Sequence, residues 1–142
     1  MTAGGALLDI NVLLALAWPN HQHHAAAHKW FEKSAQKGWA TCALTQLGFI
    51  RLSSNPAFTP EFVTPREAAE SLEAFTKDKY HRFWHSPVAS SQSFAHALNH
   101  QQVNDAWLVS AARINSGRVV TFDIRLAAHA GREKTLVETL WG

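Results

Sequence analysis

Ala6-Leu7-Leu8-Asp9-Ile10-Asn11-Val12-Leu13-Leu14-Ala15-Leu16 places apolar residues too continuously for an element with one face in water. A half-exposed strand alternates apolar and polar residues, whereas a strand covered on both faces does not. Ala6–Leu8 therefore reads as a buried parallel strand, running through Asp9 into a buried helix. Pro19 ends that helix, because proline disfavours helical geometry in the residue before it. Val119-Val120-Thr121-Phe122-Asp123 repeats the pattern far along the chain, again as a β-favouring run closed by an aspartate.

Between these runs the spacing predicts an amphipathic helix over 22–37, with Ala27, Trp30, Phe31 and Ala35 inward and Gly38 as its stop. Trp39–Cys42 reads as a strand, and a helix follows from Thr45 to just before Asn55-Pro56. Thr64-Pro65-Arg66-Glu67 is a capping box with proline at the first helical position, and it predicts a helix over 65–79. His81–Trp84 is expected as a strand, then a Ser- and Gln-rich loop with one helical turn at 94–97. A helix over 104–115, with Trp107, Leu108, Ala111 and Ala112 inward, stops at Gly117, and 136–141 supplies the last strand. Alternating strands and helices give an α/β fold, with a mainly parallel central sheet and helices on both sides. Residues 1–142 are expected to form a single domain.

Composition removes several classes of function. No apolar run approaches the ~20 residues of a membrane span. Residues 1–5 carry no basic side chain and Asp9 interrupts the apolar stretch, so a secretory leader is not expected and a cytoplasmic location is. The single cysteine, Cys42, excludes an internal disulfide and any paired-cysteine metal or redox motif. Thirteen Lys/Arg against eleven Asp/Glu give a formal +2, too mild to argue for a polyanionic partner.

The chemistry therefore rests on placement. Parallel sheets bind ligands beyond the carboxyl ends of their strands. Asp9 and Asp123 end two strands there, and Asp105 opens the helix that leads into the second. Singly, each has a local explanation, as a turn cap or as a complement to a helix dipole. Together, three carboxylates repel one another and raise at least one pKa unless a cation neutralises them. Oxygen donors without thiolates suit Mg²⁺ or Mn²⁺ better than Zn²⁺, and such ions support phosphodiester hydrolysis. A dehalogenase-like phosphatase needs a second aspartate where Asn11 stands, and no glycine-rich dinucleotide motif follows the first strand. His24 with His28, and His96 with His100, have helical spacing for a zinc or copper ion but no third ligand. His21 and His23 are expected to face solvent.

Four blocks in order, Leu7-Leu8-Asp9-Ile10-Asn11-Val12-Leu13, Thr45-Gln46-Leu47-Gly48-Phe49-Ile50-Arg51, Asn104-Asp105-Ala106-Trp107-Leu108 and Val120-Thr121-Phe122-Asp123, resemble the PIN domain, and within it the VapC-type ribonuclease toxins. The resemblance implies a PIN-like three-layer α/β/α fold and a metal-dependent endoribonuclease using one or two Mg²⁺ or Mn²⁺ ions. It also implies structured RNA such as tRNA or rRNA as substrate, a VapB-type antitoxin as partner, and a homodimer. The family's acidic metal-binding and catalytic residues fall on Asp9, Asp105 and Asp123. Gln46 occupies a catalytic position where the family commonly has glutamate, and an amide brings no charge and cannot act as a base. That departure supports an alternative, a catalytically impaired module that binds RNA or antitoxin without cleaving. The intact block around Gln46 favours it as the subfamily's own residue. Arg51 and Arg125 each follow a site residue closely and are the candidates for phosphate contacts; Trp84 and His85 could stack on an unpaired base, although a Trp at a strand end is more often simply core.

Overall fold

The computed structural model describes residues 4–59 and 62–141. β1 (Ala6–Leu8) is buried throughout and lies in the middle of a five-stranded sheet. On one side of it come β2 (Trp39–Cys42) and β3 (His81–Trp84), and on the other β4 (Arg118–Thr121) and β5 (Val137–Thr139). Every pairing is parallel, with Leu7 opposite Ala40, Leu8 opposite Val120, and Val120 opposite Glu138. The mainly parallel sheet read from the sequence is thus parallel at every described pairing.

Alternate residues of the central strands enter two separate cores. Ala6, Leu8, Trp39 and Val120 face α1 (Ile10–Ala17), α2 (His24–Ser34), α3 (Ala43–Ser53) and α4 (Pro65–Phe75). Leu7, Ala40, Cys42 and Val119 face α5 (Val103–Ile114) together with Leu126 and Ala130. This is the three-layer α/β/α arrangement. Its double-sided core explains why β1 and α1 read as one apolar run: Val12 through Leu16 are all buried between the sheet and the neighbouring helices. Truncating one such residue, as in Leu13→Ala, costs about 2–5 kcal/mol. Gly48 on α3 lies against Ile10 so closely that an added Cβ would overlap its side chain, which brings α3 onto α1.

Element ends differ from the sequence reading where side chains intervene. The box at Thr64 and Glu67 forms both of its hydrogen bonds, 2.9 and 3.1 Å long, but α4 stops at Phe75, four residues short of expectation. α3 starts at Ala43 rather than Thr45, because the Thr45 hydroxyl accepts the Cys42 N–H at 3.0 Å and caps the turn. The loop after Pro87 forms 3₁₀ turns at Ser91–Phe94 and His100–Gln102, so His96 and His100 do not share a helix. β4 ends at Thr121, two residues before Asp123, and the last strand is confined to Val137–Thr139. Trp84 is buried on the α5 side of the sheet, so of its two readings the core one holds and the stacking one does not; His85 is exposed, edge-on to Phe83. Residues 1–3, part of the segment read for a leader, lie outside the described residues. No described helix is long and apolar enough to cross a membrane.

Candidate active site

Strand order reverses at β1, since the chain builds β2 and β3 to one side and β4 and β5 to the other. Crossovers leaving β1 and β4 on opposite faces open a crevice beyond their carboxyl ends. Asp9 follows β1 directly, and its backbone N–H still donates to the Val120 carbonyl at 2.9 Å, so the sheet itself fixes the residue's position. Its side chain caps α1 by accepting the Ile10 N–H at 2.8 Å, and it accepts the Thr121 hydroxyl at 2.7 Å.

Thr121 is the hub of this corner. Besides donating to Asp9, its oxygen accepts the Asp123 N–H at 3.0 Å and the Asn11 amide at 3.3 Å. The Asn11 carbonyl oxygen in turn accepts the Phe122 N–H at 3.2 Å. These bonds draw the chain out of the sheet after Thr121, which is why Asp123 stands beyond the strand instead of ending it. Asp123 caps the following turn by accepting the Arg125 N–H at 2.9 Å, and both its oxygens receive the Arg125 guanidinium, at 3.0 and 2.9 Å. Asp105 comes from the first turn of α5.

The electrostatics tie the three acids together. Asp9 is 8% exposed, and burial first, then the charges of Asp105 and Asp123, raise its pKa to about 6 against the lowering effect of its two hydrogen bonds. Asp105 is raised too, by burial and by Asp123, with His129 and Arg125 opposing. Asp123 moves the other way because Arg125 hydrogen-bonds to its ionised form. The local roles and the convergent one therefore coexist: Asp9 and Asp123 are caps, and they also share a field with Asp105.

Arg125 thus reaches the acids, whereas Arg51 is exposed on the last turn of α3 with no bond to them among the described residues. Gln46 donates its amide to the Thr41 hydroxyl at 3.0 Å, and that hydroxyl pairs with His81 Nε2 at 2.7 Å. Its side chain is engaged by Thr41 of β2 and, among the described residues, makes no hydrogen bond with the three aspartates. His24 and His28 cap α1, bonding the carbonyls of Ala15 and Leu16 at 2.7 and 2.9 Å, so each has a structural task.

In donor chemistry the acids fit a hard divalent cation: a buried carboxylate, hydrogen-bonded among the described residues by a hydroxyl and an amide, lies within the field of two more carboxylates. Among the described residues no three His, Cys, Asp or Glu side chains already close on one point, and Asp123 is held by Arg125. The sequence reading missed Asn11 and Thr121 as the groups that orient Asp9 and Asp123. It also missed His21 and His23, which it put in solvent. Both are half-buried and line a cleft beside Asp9. Their signal was the cluster of imidazoles just after α1, visible only once Phe122 is known to lie against it.

Comparison with known proteins agrees with this fold. A PIN domain family model matches residues 6–132. Over 139 residues the chain is 43% identical to "Ribonuclease VapC39" of Mycobacterium tuberculosis, covering 95% of this chain and 99% of that protein. "Ribonuclease VapC38" of the same organism is 42% identical over 137 residues, covering 95% and 97%, and "Ribonuclease VapC44" is 40% identical over 141 residues, covering 95% and 99%.

Proposed function

The chain belongs to the PIN-domain family as a VapC-type member, and from that premise we propose that it is a toxin endoribonuclease hydrolysing phosphodiester bonds in structured RNA such as tRNA or rRNA. The observation that carries this reading is the coupling of Asp9 to Asp105 and Asp123 at the crevice where strand order reverses. Asp9, Asp105 and Asp123 would hold one or two Mg²⁺ or Mn²⁺ ions. When bound, such an ion supplies a water of lowered pKa and neutralises charge on the phosphate being cleaved.

The chain's own groups do the rest. Thr121 and Ile10 hold the Asp9 carboxylate in one orientation, and Asn11 locks Thr121 and the Phe122 backbone in register with it. Arg125 offers a planar, bidentate cation for a substrate phosphate beside the acids, and Arg51 adds a second basic contact at longer range. Gln46 acts as a neutral donor that keeps Thr41 and α3 in place. The ribonuclease relatives do not support the non-cleaving alternative, whose main support was Gln46. Residues 1–142 are read as one domain acting in the cytoplasm, as a homodimer restrained by a VapB-type antitoxin.

The test is cleavage of purified tRNA and rRNA by the chain with Mg²⁺ or Mn²⁺, with a chelator, and with Asp9→Asn. Divalent-dependent cleavage that Asp9→Asn abolishes is the expected result. Equal cleavage by that variant overturns the assignment.

A further inference from the structure

A cleft of about 540 Å³ opens directly beside Asp9, Asn11 and Asp123. Leu14 and Leu52 form its apolar floor, and Phe58, 46% exposed, stands at its edge. On the far wall the His23 ring stacks on Phe122, with centroids 4.4 Å apart and planes within 12°. His21 completes the wall, and its Nδ1 accepts the His23 N–H at 3.1 Å. That bond assigns the ring proton to Nε2, so a neutral His21 presents an N–H donor. Burial first, then the neighbouring His23 and His24, lowers its pKa, which favours that neutral form.

We propose that this cleft seats one unpaired nucleobase of the RNA, next to the phosphate that the three aspartates address. The inference rests on the ribonuclease reading and adds to it how the strand is gripped. A nucleobase is a flat ring with polar edges, and the cleft supplies aromatic and apolar surface for the ring and an imidazole donor for an acceptor on the edge. Proteins read unpaired RNA bases by this pairing of stacking and edge contacts. A base still paired within an A-form helix cannot leave the stack without cost, so the cleft selects loops, bulges or frayed ends as cleavage sites.

The test is a double perturbation. Affinities of hairpin RNAs, each carrying one abasic nucleotide at a successive loop position, are measured with the divalent ion chelated, against the wild-type chain, His21→Ala and Phe58→Ala. One abasic position should weaken binding to the wild-type chain about tenfold, and the same lesion should cost nothing once either side chain is removed. Strictly multiplicative losses overturn the proposal. As a measurement that needs no variant, titrating the wild-type chain with a nucleoside 5′-monophosphate should move the His21 and His23 ring resonances, and an identical shift with inorganic phosphate alone overturns it. If RNA is cleaved but every lesion is equivalent, the base seat falls and the ribonuclease reading stands. Base-dependent binding without cleavage under any divalent ion does the reverse.

Discussion

Two carboxylates on one sheet have opposite surroundings. Glu138 on β5 receives the Arg118 guanidinium at 2.8 Å and the Trp30 indole N–H at 3.0 Å, so its charge is matched by a cation from the neighbouring strand. Asp9, beyond the end of β1, is more deeply buried, yet its partners are a hydroxyl and an amide, and the charges acting on it are those of two further carboxylates. The sheet binds Glu138 to itself, whereas among the described residues no cation pairs with Asp9. A fold tolerates such an imbalance where it serves a site rather than stability.

The largest way to test that contrast is Asp9→Asn, which should lower RNA cleavage by at least about a thousandfold, since a catalytic ion is worth several kcal/mol. The same variant should make the metal-free protein more stable at neutral pH. A carboxyl raised from 3.8 to about 6 on folding is protonated preferentially in the folded state, so stability is lost as pH rises from about 4 to 6 and stays lost above that. The shift corresponds to about 3 kcal/mol, and one weakened hydrogen bond returns about 1. Denaturant unfolding at pH 8 should therefore show Asp9→Asn ahead by about 2 kcal/mol, a lead that disappears at pH 4 and that added Mg²⁺ narrows by stabilising only the wild type.

Arg125→Ala, which removes the cation held by Asp123, should raise KM for RNA about tenfold and flatten its dependence on salt. Glu138→Gln should behave inversely to Asp9→Asn. It should cost about 1 kcal/mol in denaturant unfolding, a modest loss because the ion pair is partly open to solvent, and leave cleavage within about twofold. Arg51→Ala should change KM by only about twofold, as expected of an exposed cation away from the acids.

The same contrast marks what the sequence disclosed. Ala6–Leu8 and Val119 with Val120 declared a two-sided sheet because burial on both faces leaves no polar alternation, and Thr64 with Glu67 declared a helix start because both capping bonds are local. The three aspartates could be suspected because each ends or opens an element, and such ends gather on one rim. Their orientation was not legible. It depends on Thr121 and Asn11, hydrogen-bonded to one another across 110 residues, and nothing in either residue's neighbourhood announces the other. The two wall histidines were misassigned, and Trp84 was left between two readings, for a related reason: whether an aromatic ring lies in the core, in a cleft or in water is decided by elements distant in sequence.

The central place of β1 also bears on how the molecule is made. Once β1 is made, one of its flanks stays unpaired until β4 is synthesised, and the hydroxyl that orients Asp9 arrives 112 residues later. Contacts of such separation close slowly. The nascent chain therefore carries an acidic rim whose first carboxylate stays unoriented until β4 has been made.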